Sequence, residues 1–113
     1  MNNPILLPHH KLLAYGVALQ LLRAVRAARI RDPYLRDQAM RAAKSTCLNA
    51  AELAGRVTHA DKARIAAIAR AEAGEAAAGV EIAVEAGDAE PESLPPVLEH
   101  ANRFIAMMTG IIR

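Results

Sequence analysis

Four stretches of the chain carry apolar residues at the three- and four-residue spacing of an amphipathic helix, and short breakers separate them. The first runs over about 8–30 and the second over 33–54. Asp32 and Pro33 make a good start for the second, because a carboxylate accepts orphan amide hydrogens and a proline at the first helical position lacks only an unused donor. Gly55 supplies its stop. The third, about 59–86, opens behind Thr58, whose hydroxyl forms a capping-box pattern with Asp61, and it closes before Gly87. A polar link, DAEPES, leads to the fourth at 93–112, where Pro95 and Pro96 are tolerable only in a first turn. Short connections predict an all-α, antiparallel up-down four-helix bundle, one domain over 1–113.

The faces of these helices differ. On the second, Leu35, Ala39, Ala42, Ala43, Thr46, Ala50 and Leu53 share one side, and Asp37, Arg41, Lys44 and Glu52 gather on another. Small residues on the packing side let a neighbouring backbone approach closely. The first helix carries two stripes: Leu13, Val17, Leu21, Ala24 and Ala28, then Leu12, Tyr15, Leu19 and Leu22. A surplus stripe fits either deep burial in one bundle or contact with another subunit, and Leu12, Tyr15, Leu19 and Leu22 are the candidate oligomer interface. On the third helix, Ile65, Ile68, Ala69, Ala76, Gly79, Ile82 and Ala83 define an apolar side that also holds Glu72 and Glu75. Inward acids need partners. Arg41, Ser45 and Asn49 on the second helix are the candidates, giving an expected buried polar network of Ser45, Asn49, Glu72 and Glu75. A ligand site or a solvated groove are the other readings of those acids.

The run from Leu35 to Arg56, LRDQAMRAAKSTCLNAAELAGR, resembles a signature of the four-helix-bundle proteins encoded by intervening sequences in bacterial large-subunit ribosomal RNA genes. These are related to the accessory variability protein of diversity-generating retroelements. The residues that carry the resemblance are Leu35, Gln38, Arg41, Ala42, Ser45, Asn49, Ala51, Glu52, Gly55 and Arg56. Leu53 stands where the family has glycine, and the ending ANRFIAMMTGIIR is similar to the family's closure. The likeness spreads from about Lys11 to Arg113. It implies a bundle that assembles into a ring-like homo-oligomer, a pentamer as in the retroelement relatives, which bind nucleic acid and act with a reverse transcriptase. A reverse transcriptase partner is implied only if this chain is retroelement-associated.

Length and composition fit one small core. Aromatic residues are Tyr15, Tyr34 and Phe104 alone, and alanine dominates. Such a core gains little per residue, so burial by self-association helps stability. Cys47 is the single cysteine, which excludes an internal disulfide, and its apolar helical setting marks a small buried hydrophobe. The start MNNPILLPHH lacks the basic lead and long apolar segment of a secretory signal, and no apolar run approaches the ~20 residues of a membrane span. A cytoplasmic protein without a membrane partner is expected.

Catalytic chemistry finds no support. A di-iron carboxylate centre needs Glu-x-x-His pairs, which are lacking. His9, His10, His59 and His100 show no helical ligand spacing, and there is no phosphate-binding glycine loop, dinucleotide fingerprint, nucleophile elbow or zinc spacing. A non-enzymatic protein with no metal and no cofactor is expected. Charge is the remaining signal. Up to Arg70, twelve Lys or Arg stand against four acids, a balance of +8; from Ala71 onward, two stand against eight, a balance of −6. Arg23, Arg26, Arg29, Arg31 and Arg36 cluster about the first helix-helix turn, so that end is expected to be basic, with Arg41, Lys44 and Arg56 further along. Phosphate is the natural partner of concentrated guanidinium groups. Two functions follow: backbone binding of RNA or DNA, or pairing of these arginines with the acidic helices for assembly alone. Scarce aromatics argue against single-strand base stacking.

Overall fold

The computed structural model describes residues 7–113. The amino-terminal segment read for a leader lies partly outside them, in residues 1–6. Four helices make the fold: α1 Leu13–Ala27, α2 Pro33–Ala54, α3 His59–Glu85 and α4 Leu94–Ile112, with short 3-10 turns at Pro8–Lys11 and Pro91–Ser93 and no strand among the described residues. Each helix packs on two neighbours, α1 on α2 and α4 and α3 on α2 and α4, while the diagonal α1–α3 contact is slight. Consecutive helices run antiparallel: Arg41 of α2 meets Glu75 of α3, and Arg70 of α3 meets Thr109 of α4.

The boundaries have local causes. Asp32 Oδ2 accepts from the Leu35 amide at 2.8 Å, and Thr58 Oγ1 accepts from the Asp61 amide at 3.1 Å. Gly55 ends α2 with ordinary right-handed angles, so its value there is not a positive φ. Gly87 does use one, φ 80, to leave α3.

The first helix is shorter than the 8–30 stretch predicted. Pro8–Lys11 winds as a 3-10 turn, Leu12 is extended, and α1 spans only Leu13–Ala27. At the far end, Pro33 bars its predecessor from helical angles, so the chain must turn within residues 28–32. Arg29 takes a left-handed φ of 49, which drops Ile30 into the core at 2% exposure. The Arg31 amide then bonds to the Asp88 carbonyl at 2.8 Å and ties this turn to the α3–α4 link.

Phe104, Leu21, Ile65, Met108, Val17, Val25, Val80 and Val97 are fully buried, and alanine supplies most of the remaining core. The α2–α3 seam is the tightest. A Cβ built on Gly79 would stand 2.9 Å from Ala39 Cβ, so the two backbones approach closer than two alanines permit. The predicted α2 face is buried as a whole apart from half-buried Leu35, and Cys47 joins it.

The predicted α3 face is rotated. Ile65, Ala69, Ala76 and Ala83 are buried with Ala66, Ala73, Ala77 and Val80, whereas Ile68 and Ile82 are 42% and 52% exposed. Alanine on every side of α3 leaves its inward direction weakly marked, and Ile68 and Ile82 point away from the true one. Glu75 follows them outward.

Candidate nucleic-acid interface

Antiparallel topology brings the carboxyl end of α1, the amino end of α2, the carboxyl end of α3 and the amino end of α4 together at one end of the bundle. The first helix-helix turn there is rich in arginine, as its sequence predicts. The end as a whole is not basic, because Glu81, Glu85, Asp88, Glu90 and Glu92 arrive with α3 and α4. At this end charge is therefore divided by side, with Arg23, Arg26, Arg29, Arg31 and Arg36 on the α1–α2 side and Glu81, Glu85, Asp88, Glu90 and Glu92 on the α3–α4 side.

Arg26, Arg29, Arg31 and Arg36 line one cleft of about 510 Å³, with buried Ile30 at its base. Arg31 Nη2 donates to the Gly87 carbonyl at 2.7 Å and Nη1 lies 3.4 Å from Glu90 Oε1, so this guanidinium holds the α3–α4 link. Arg36 Nη1 donates to the Ile30 carbonyl at 3.4 Å. Arg26, Arg29 and Arg36 form no ion pair among the described residues. Arg23 is exposed one turn back on α1, close enough to Cys47 to act on its thiol. Burial pushes that thiol up to about 11, and the Arg23 charge pulls against the rise.

The other basic candidates are elsewhere. Lys44 and Arg41 line a shallow groove of about 520 Å³ on α2, with Asp37, Met40 and Leu48. Arg41 is engaged: Nη2 bonds to Glu75 Oε1 at 3.0 Å and to Gln38 Oε1 at 3.3 Å, and Nη1 is 4.0 Å from Glu72 Oε2. Arg56 sits twenty residues beyond Arg36 on α2 and its neighbouring turn, about 30 Å along the axis, paired with Glu52 and Asp61. The eight residues thus do not form one patch.

The expected polar network divides in two. Asn49 Nδ2 donates to the Ser45 carbonyl at 2.9 Å and Oγ at 3.2 Å, a bond within α2 that reaches no glutamate. Glu75 is exposed beside Arg41 rather than buried, because α3 is rotated as described. Glu72 is half-buried, and its Oε2 has no hydrogen-bond partner among the described residues. Leu12, Tyr15, Leu19 and Leu22 are half-buried against the core of their own bundle. Leu13, assigned to the core stripe, is 65% exposed.

Two features escaped the sequence. His9 packs on His10 and edge-on against Tyr15, with ring centroids 4.3 and 4.8 Å apart, because the 3-10 turn folds back over α1. A second cleft of about 510 Å³ lies between α1 and the start of α4, floored by Ala24, Ala27, Ala28 and Pro96 and edged by Arg29, Arg31, Glu90 and Glu92. Three alanines within five residues at the end of α1 were its only trace. Among the described residues no group of His, Cys, Asp and Glu is placed to hold a metal ion.

A family comparison matches most of the chain. The model of the 23S rRNA-intervening sequence protein family covers residues 11–110. The chain belongs to that family. Its match begins in the 3-10 turn and ends in the last turn of α4, so all four helices of this 23S rRNA-intervening sequence protein are included. No curated protein matches the chain. No helix among the described residues is long and apolar enough to cross a membrane.

Proposed function

We propose that this chain is a non-enzymatic, self-associating bundle that binds the backbone of RNA or DNA through the α1–α2 side, in the cytoplasm. The observation that carries the reading is the cleft walled by Arg26, Arg29, Arg31 and Arg36, three of which have no carboxylate partner among the described residues. Like charges held together repel, and an anion with several oxygens relieves the repulsion by accepting from several guanidinium groups at once. Arg23 and Lys44 extend the basic side. Arg31, Arg41 and Arg56 serve it less, since each is committed to carboxylates or carbonyls.

The test is a mobility-shift titration with duplex and single strands across a salt series. Affinity for the duplex is expected to fall steeply with salt and to vary little with sequence, as counterion release requires. Arg26→Glu with Arg29→Glu should weaken binding at least tenfold, while charge changes at Glu99 should not. Absence of wild-type binding at about 50 mM salt refutes the reading.

Segregation of charge by side supports assembly as the second reading. The basic side of one copy complements the acidic α3–α4 side of another, and a repeated heterologous contact of this kind closes into a ring when its rotation allows. Family resemblance makes the ring a pentamer, and it makes a reverse transcriptase the partner if the chain is retroelement-associated. Light scattering should give about five times the 12.1 kDa chain mass. Dissociation of the arginine double variant into monomers would assign those residues to assembly.

A further inference from the structure

We propose that the arginine cleft and the alanine-floored cleft beside it are one composite site for a single nucleotide of an unpaired strand, the phosphate in the first and the base in the second. This rests on the backbone-binding reading and narrows it. Arg29 and Arg31 line both clefts, so the two share a wall. On one side of that wall stand Arg26 and Arg36; on the other, Ala24, Ala27, Ala28 and Pro96 line the second cleft.

The clefts differ in chemistry as the two parts of a nucleotide do. One offers several arginine side chains to an anion with several acceptor oxygens. The other offers a mainly apolar lining, at a volume inside the roughly 300–1,000 Å³ of small-molecule sites. Aliphatic carbon on the floor receives the face of a base without an aromatic partner. At the rim, Glu92 forms no ion pair among the described residues and lies in the first cleft's neighbour as an acceptor only. A carboxylate accepts from an exocyclic amino group, so cytosine is favoured over uracil, which has a carbonyl at that position. Base pairing in a duplex would hide the same edge. Arg31, fixed by the Gly87 carbonyl and Glu90, holds the wall, while Arg29 is left free to reach the phosphate.

The test uses cytidine and uridine 5′-monophosphates and inorganic phosphate, followed by NMR on the whole chain. Phosphate should shift only the arginine signals. Cytidine monophosphate should shift these and the Ala24, Ala27 and Ala28 methyl signals, and bind about tenfold tighter than the uridine compound. Ala27→Leu fills the cleft at an exposed helical position, where folding tolerates it. It should weaken cytidine monophosphate at least tenfold and leave duplex binding unchanged. Glu92→Ala should bring the two nucleotides to equal affinity. Equal binding of phosphate and cytidine monophosphate without methyl shifts overturns the composite site and leaves backbone binding standing. Failure of phosphate, nucleotide and duplex alike overturns both.

Discussion

Replacing Gly79 with alanine sets helix propensity against packing, and the structure decides which wins. Alanine in a helix interior is favoured over glycine by about 0.8–1.0 kcal/mol. At Gly79 the new Cβ would meet Ala39 Cβ at 2.9 Å and Ala39 Cα at 3.4 Å. Carbon atoms prefer about 3.5–4.0 Å, and neither partner is the end of a flexible side chain, so α2 and α3 must separate by roughly 0.6–1 Å. A gap of that size forfeits about a quarter to a half of each contact across the seam. Overpacking of this kind costs about 1–3 kcal/mol, and the net effect expected is a loss of about 1 kcal/mol. Gly74→Ala is the matched control, because nothing lies within 4 Å of its Cβ. It gains the propensity term alone. The propensity terms cancel between the two variants, so the difference, about 1–3 kcal/mol, isolates the α2–α3 approach. Thermal unfolding followed by circular dichroism, at one protein concentration so that self-association is held constant, should separate the variants by roughly 4 °C per kcal/mol. Adding Ala39→Gly to Gly79→Ala removes the opposing methyl and should recover part of the loss as a coupling energy. Equal stabilisation by Gly79→Ala and Gly74→Ala would refute the close approach.

Arg29→Gly should stabilise the fold by about 0.5–1 kcal/mol, since a left-handed residue costs roughly 1–2 kcal/mol and glycine returns part of that as unfolded-state entropy; the same variant should weaken nucleic-acid binding, and a loss of stability in urea melts would show that the Arg29 side chain supports the turn. Glu75→Ala should change stability by no more than about 0.5 kcal/mol, because the Arg41 pair is exposed and screened; a loss above 1.5 kcal/mol would place the carboxylate in the core. Cys47 should resist alkylation at pH 8 in the native state and react at the free-thiol rate once unfolded, since a pKa raised from 9.0 to about 11 leaves roughly a hundredfold less thiolate. The raised value means that the unfolded chain loses its proton first, so this contribution to stability is full below pH 9 and declines as pH rises toward about 11; a Cys47→Ala variant should lack that decline.

Element existence was legible because caps and breakers act locally. Asp32, Pro33, Thr58 and Gly87 do at the helix ends what their side chains dictate, and α2 occupies the predicted 33–54. The end of the first helix is illegible because nothing in residues 28–30 breaks a helix by composition: Arg29 adopts its left-handed angle only because Ile30 must reach the core and Pro33 follows. The inward face of α3 is illegible for a different reason. Periodicity marks an inward direction only where large apolar and polar residues contrast, and alanine on all sides removes the contrast. Ile68 and Ile82 then weigh more than Ala73 and Val80 in the pattern although the latter pair is buried. The alanine-floored cleft was illegible because its lining comes from two helices about seventy residues apart.

Charge shows how topology reinterprets a linear pattern. Along the chain the basic residues precede the acidic ones, which invites the picture of a bundle with one basic end. An up-down bundle returns to the same end with every second connection, so the α3–α4 link must lie beside the α1–α2 turn whatever its charge. Arg31 then meets Glu90 across 59 residues of sequence. What survives is a division by side at that one end: acids from Glu72 to Glu99 occur without a single lysine or arginine among them, and they lie beside the arginine side. A polyanion approaching that end is attracted by Arg26, Arg29 and Arg36 and repelled by Glu90 and Glu92 within the same few turns. Such a field favours a ligand whose phosphate lies on one side and whose amino-bearing edge lies on the other, and it disfavours a long duplex laid across both. In the proposed backbone-binding mode a duplex would lie along the α1–α2 flank by Arg23, since toward Lys44 the groove holds Arg41 with Glu75 and Glu72 of α3 beside it.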